Sequence, residues 1–361
     1  IAKITQEPIF ATYSTYIESL YGQESYYEDF RWMIPLFLDN EVRPLFHAKK
    51  SLELFDNILP LTNVFGKGNY NQVVMRSGWG PEDSFIQIRG GDHFSHHQHN
   101  DAGHFSIFYN EPVIANASVY HNDFFKPSRL NFSIRSVAKN TLLLPLSGEV
   151  IKPNRFFKEN VNPGGQKIVL PTGSAVTSVD NWRNNRVKYQ GARLLRQITH
   201  EGIFSFVEFD LTQSYYTRTQ KAEQVVRRLL FLPYDQKIMV FDQLSGVQPN
   251  IRAKSQLHLI ARPDVDSKPT KHHEAVHLFD SSKNIGLSQS DVSISLLLPK
   301  APINRLYDGE DSRFLVESFE QNGSKFKDQR AGYINKNWFD NPQYRLEWQQ
   351  SVSAIEQNFV Q

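Results

Sequence analysis

The sequence predicts a mainly β protein, a large antiparallel β-sandwich preceded by a few helices. Two observations carry this. From Gln72 onward, short runs rich in β-branched and aromatic residues recur, separated by Gly, Pro, Asn and Asp, which is the texture of an all-β sandwich or barrel. Before them, residues 1–58 carry apolar residues at three- and four-residue spacing, the period of helices that bury one face.

Taken in order, "YSTYIESLYG", "FRWMIPLFLD" and "HAKKSLELFDNIL" read as helices. Three short helices do not complete a domain, so residues 1–58 are expected to be the end of a helical domain and 59–361 the sandwich. The strands follow as "QVVMRSGW", "SFIQIRG", "HFSIFYN", "PVIANASVY", "NTLLLPL", "IFSFVEFDLT", "VVRRLLFLP", "KIMVFDQL", "SQLHLIA" and "VSISLLLP". No repeat or low-complexity tract interrupts them, and the aromatic, polar stretch from Gly332 carries no assignment.

Composition excludes several classes. A formal charge of +2 on 361 residues argues against a nucleic-acid or membrane-surface protein. No apolar run reaches the length of a membrane span. With no cysteine, disulfides and thiolate chemistry are out, and an oxidising compartment is permitted without being required. The chain opens at Ile1 with neither Met nor a signal-like segment, the expectation being a processed form or a fragment. Aromatics make up 13% of the chain, enough to supply both strand faces and sugar-stacking platforms.

One stretch stands apart. "HFSHHQHNDAGHF", residues 93–105, holds five of the twelve histidines. If it runs into the strand "HFSIFYN", alternation places His97, His99 and Asp101 on one face. An H-x-H pair on a strand aims two imidazoles at one point, as metal ligands or as one ligand beside an acid/base. His104, next to an apolar run, reads as a satisfied structural histidine. The second group, His272, His273 and His277, reads as a polar turn entering a strand.

Two family resemblances follow from these residues. Gly91, five residues and His97-x-His99 fit the opening of a cupin metal motif, but the glutamate that motif requires is replaced by Gly103 and His104. The ordered blocks "VVMRSGWGPEDSFIQIRGG", "HHQHNDAGHFSIFYNEPVIANASVY", "RSVAKNTLLL", "VVRRLLFLPYDQKIMVFDQL" and "LHLI", across roughly residues 60–262, make a longer match. They resemble the heparinase II/III-like polysaccharide lyases.

That resemblance implies an (α/α) toroid, closed by residues 1–58, joined to the sandwich. It implies cleavage of a uronate-containing glycan, alginate or a glycosaminoglycan, by β-elimination, and a secreted or periplasmic location. It gives His97 an active-site role and His99 a structural zinc. Tyr120 is the second catalytic candidate; Arg76, Arg135, Lys139 and Asn140 are candidates for binding substrate, with Arg129 as a further carboxylate-binding arginine.

The family's other zinc positions are altered here. Asn116 stands where an aspartate is expected and Lys139 where a histidine is expected. Asparagine is a neutral, weak ligand and an ammonium is none. The expectation is therefore no cofactor, with His104 or His121 the alternative ligands should zinc persist. In its place the Lys139 ammonium would bond Asn116 or Asp101 and favour a neutral imidazole at His99. A non-catalytic glycan-binding sandwich and a cupin-like metal enzyme remain the alternatives to the lyase.

Overall fold

The computed structural model describes residues 7–26, 52–80, 82–93, 98–117, 125–149, 162–168, 177–282, 284–288, 291–309, 311–320, 323–333 and 342–361. It divides into two compact units, Ile1–Pro60 with Gly78–Pro81, and Leu61–Ser77 with Glu82–Gln361.

The first unit contains helix α1 (Pro8–Tyr26) and a short 3-10 helix, Leu52–Asn57. Thr12 and Thr15 return their hydroxyls to the carbonyls four residues earlier, Pro8 and Ala11, at 2.9 and 2.8 Å. Phe55 is buried between the rings of Tyr13 and Trp79, at centroid distances of 6.4 and 5.9 Å. "HAKKSLELFDNIL" was expected to be helical throughout, yet in its described part only the 3-10 turn forms. Pro60 disfavours helical backbone at the residue before it, which closes the segment early. "FRWMIPLFLD" lies outside the described residues.

The second unit is built of antiparallel strands. β1 (Thr62–Phe65), β2 (Gln72–Arg76), β3 (Phe85–Arg89), β4 (Phe105–Tyr109) and β5 (Glu111–Ile114) form a meander, and β6 (Leu142–Leu143) follows after an irregular segment. The short helices α2 (Val179–Asn184) and α3 (Arg186–Tyr189) lead into β7 (Arg193–His200), β8 (Phe204–Asp210), β9 (Gln224–Leu232) and β10 (Lys237–Ser245). β11 (Lys254–Leu259), β12 (Pro263–Asp264), β13 (Ser267–Thr270), β14 (His273–Phe279), β15 (Ile285–Leu287) and β16 (Ser293–Ile294) come next. β17 (Ile303–Tyr307), β18 (Leu315–Glu320), β19 (Gly323–Asp328), β20 (Tyr344–Gln349) and β21 (Gln357–Val360) end the chain.

An 11-stranded sheet runs β1-β2-β3-β4-β5-β11-β20-β17-β14-β13, with β6 also paired to β11; a 5-stranded sheet runs β21-β10-β9-β8-β7. Alternation explains how they face each other. On β2 and β3 the buried residues are Val73, Met75, Ile86 and Ile88; on β8 to β10 they include Val207, Phe209, Leu229, Phe231, Val240 and Leu244. Both sets belong to one apolar core. Burying each large side chain there contributes about 1.5–3 kcal/mol.

Charges are also buried, and they are paired. Lys254 on β11 bonds Glu317 and lies 3.1 Å from Glu347, which meets Arg305 at 3.2 Å. Closer to the histidine segment, Arg227 on β9 clamps Asp242 across the strand pair at 2.7 and 2.8 Å, both side chains 1% exposed. Its remaining nitrogen, Nη1, donates to the carbonyls of Gly103 and Asn140, each at 2.7 Å.

Arg227→Met would leave the Asp242 carboxylate buried without its counter-charge. The expected loss is about 3–5 kcal/mol of stability, read from urea denaturation, with partial recovery on adding Asp242→Leu. A single variant within about 1 kcal/mol of the parent would show that the pair does not stabilise the fold.

Candidate functional site

The histidine segment is not the strand expected of it. Gln98 to His104 is irregular, and β4 begins only at Phe105, so strand alternation does not set where His99 and Asp101 point. A turn explains this: Gly103 takes φ +77°, and His104 N–H returns to the Asp101 carbonyl at 2.9 Å. A Cβ on Gly103 would also meet Leu211 at 2.7 Å, so only glycine fits.

Tertiary bonds then hold the loop from three sides. Asn100 N–H donates to Ile134 O at 2.9 Å, and the Ser136 hydroxyl to Asn100 O at 2.9 Å. Ala102 exchanges bonds with the Gln166 amide, at 3.0 and 2.7 Å. Asp101 is ion-paired with Arg89, whose guanidinium lies over the Tyr70 ring at 5.6 Å. The segment opposite, residues 136–141, is pinned at Asn140 from several directions.

His104 is a satisfied histidine. Its Nδ1 accepts the Asn140 N–H at 3.0 Å and its Nε2 faces the Ser106 hydroxyl at 3.2 Å. Burial, reinforced by the cations Lys139, Arg227 and Arg89, holds it well below the usual histidine pKa. Burial and then Lys139 push His99 down to about 2, so both rings are neutral. Lys139 itself, 1% exposed, is lowered by burial to about 7, with Asp101 opposing the shift. Its Nζ lies 3.4 Å from Asn116 Oδ1.

The other expected site residues are distributed as follows. Asn140 is fully buried: its amide donates to Phe105 O and Ala115 O, at 2.9 and 3.1 Å, and accepts the His258 N–H at 2.7 Å. Arg135 is also buried and donates to Asn162 Oδ1 at 3.3 Å. Burial lowers its pKa to about 10 against the opposing charge of Glu149. Expected to grip substrate, Arg135, Lys139 and Asn140 are enclosed by protein instead, because the loop and the 136–141 segment close over them. Arg129 is buried as well, in the π-helical turn Ser128–Ser133. Arg76 is half-buried, its guanidinium 4.5 Å above the Phe85 ring. His97, Tyr120 and His121 lie outside the described residues. Asn116 stands past the end of β5. His273 and His277 belong to β14, entered from a turn at Lys271 and His272.

Sequence reading missed Gln166, Arg227 and the pair Asp92–His93. The signal for Gln166 was the preceding Gly164–Gly165, which lets the backbone approach Ser136. Asp92 is buried and accepts the Gly191 N–H at 3.0 Å; burial and the cations Lys167 and Arg89 push His93 down to about 3.

Among the described residues the groups beside Lys139 are poor zinc ligands. The Lys139 amine donates to the neutral Asn116 amide oxygen, while Asp101 is engaged by Arg89. Among the described residues no group of three or more His, Asp or Glu is arranged to hold a metal.

No family model matches the sequence, and no curated protein matches it. Solved structures align with the fold. A heparan sulfate lyase, HepC, from Pedobacter heparinus aligns at 15% identity and a TM-score of 0.46 over 83% of this chain and 35% of that one. A heparinase III gene product aligns at 10% identity and 0.46 over the same shares. A further heparinase III gives 13% and 0.43 over 83% and 36%. The chain thus spans about a third of the length of these structures.

The buried histidines give a pH prediction. His93, His104 and His258 have folded pKa values below the roughly 6.5 of an unfolded histidine. Between the two values the unfolded chain binds protons that the folded chain does not. Stability is therefore intact above about pH 6.5 and falls below it, by up to about 1.4 kcal/mol per pH unit for each histidine. Denaturant midpoints should drop between about pH 6.5 and 5, before carboxylates titrate; a flat profile there would contradict neutral burial.

Proposed function

We propose that this chain is the sandwich part of a polysaccharide lyase that cleaves an acidic, uronate-containing glycan by β-elimination. The observation that carries the reading is the gathering of His99, Asp101, Asn116 and Lys139 from three segments, fixed by backbone bonds, with His97 two residues before His99. Ionisable groups held in partly buried surroundings are what proton transfer near neutral pH requires.

In this reaction a base removes the proton at C5. The electron pair forms the C4=C5 bond, the C4–O4 bond breaks, and an acid protonates O4. One chain becomes two, with an unsaturated sugar at the new end; no water or redox partner is consumed. The C5 proton is acidic only when the adjacent carboxylate is hydrogen-bonded or neutralised, because charge builds there as the proton leaves. We assign His97 and Tyr120 to the proton transfers and Arg76 to the substrate carboxylate, which a guanidinium binds in bidentate fashion. Arg135, Lys139 and Asn140 are assigned to support, since their polar groups are engaged inside the protein. Such polymers are met outside the cytoplasm, so a secreted or periplasmic location accompanies the proposal.

The burial of those three residues favours a second reading, a sandwich that binds an acidic glycan without cleaving it. One experiment separates the two. The intact protein is screened against alginate and glycosaminoglycans for the ultraviolet absorbance of the new double bond, alongside His97→Ala. The lyase reading expects turnover that falls by about 10²- to 10⁴-fold in the variant, with the fold unchanged by circular dichroism. Turnover surviving in a folded variant removes His97 from the mechanism; glycan binding without any unsaturated product establishes the second reading.

A further inference from the structure

We infer that the Lys139 amine takes the place beside Asn116 that a metal ion would otherwise fill. The inference rests on the resemblance that puts zinc ligands at positions 116 and 139, and not on glycan cleavage. Three separate segments meet here: the loop before β4 brings His99, the chain leaving β5 brings Asn116, and the segment before β6 brings Lys139. Lys139 Nζ lies 3.4 Å from Asn116 Oδ1.

The backbone at position 139 is fixed on both sides. Lys139 N–H donates to Ser136 O at 3.0 Å, and Lys139 O accepts from Thr141 N–H and from the Gln256 amide, each at 2.9 Å. The direction of the side chain is therefore set by the fold and not by the lysine. An imidazole on the same Cα is shorter than the lysine stem and would leave room for an ion. A carboxylate at position 116 would supply the negative charge that a divalent cation needs and the present amide lacks. With an amine and an amide there, the group that fills the place is covalently part of the chain. It neither exchanges with solution nor answers to chelators.

The test uses zinc alone as the probe. The parent and the double variant Lys139→His/Asn116→Asp are incubated with a zinc salt, desalted, and compared by elemental analysis and by melting with and without chelator. The parent is expected to hold far less than one zinc per chain and to melt identically in chelator. The double variant is expected to take up about one zinc, with a rise in Tm that chelator reverses. Should it fail to fold alone, refolding in zinc should restore it. Lys139→Met is expected to melt several degrees below the parent whether or not zinc is present. About one chelatable zinc in the parent overturns the inference. So does a double variant that takes up no zinc or is not refolded by it, and so does Lys139→Met melting with the parent.

Discussion

The candidate site depends on one buried guanidinium. Arg227 spends Nε and Nη2 on Asp242 and Nη1 on the carbonyls of Gly103 and Asn140. A guanidinium presents its donors in a fixed planar fork, so the three partners cannot drift independently. The 5-stranded sheet supplies the arginine, the histidine loop supplies Gly103, and the segment before β6 supplies Asn140. The Asn140 N–H then reaches His104, completing a closed circuit of bonds. Because the arginine and its carboxylate are both out of water, the circuit is costly to open at any point.

The charge state of the site follows from that closure. Excluding water from the loop keeps His99 and His104 neutral and pulls Lys139 towards neutrality. The remaining charges are compensated, Asp101 by Arg89 and Asp242 by Arg227. Groups held in this way lose little by reorganising when charge develops beside them. Residues legible as polar candidates turn inward: Asn140 to the carbonyls of Phe105 and Ala115, and Arg135 to the Asn162 amide.

Much of the sandwich was legible because its strands are half-buried and alternate. "QVVMR", "FIQIR" and "FSFVEFD" show their inward residues by period alone. Two strands were not legible. "YRLEWQ" of β20 buries Arg345 and Glu347, and the β7 edge strand exposes Leu195 and Ile198; neither shows a clean alternation of apolar and polar residues. In the site, the juxtaposition of Lys139 with Asn116 was readable from the altered motif, whereas burial, the first cause of the His99 depression, was not. The turn at Gly103 was not, since alternation was extended through a glycine whose positive φ ends it. Nor was Arg227, whose partners lie 124 and 87 residues away and leave no local trace.

The most direct test of the circuit is the His104 ring, observed by ¹⁵N NMR of histidine-labelled protein. Its Nδ1 accepts a backbone N–H, so the proton must reside on Nε2, where it can serve Ser106. The account predicts the neutral Nε2–H tautomer, unchanged as pH falls from 8 to about 5, well below the ordinary histidine pKa of about 6.5. A ring that protonates near pH 6.5, or that carries its proton on Nδ1, would mean that Asn140 does not hold it and that the loop is not closed as described.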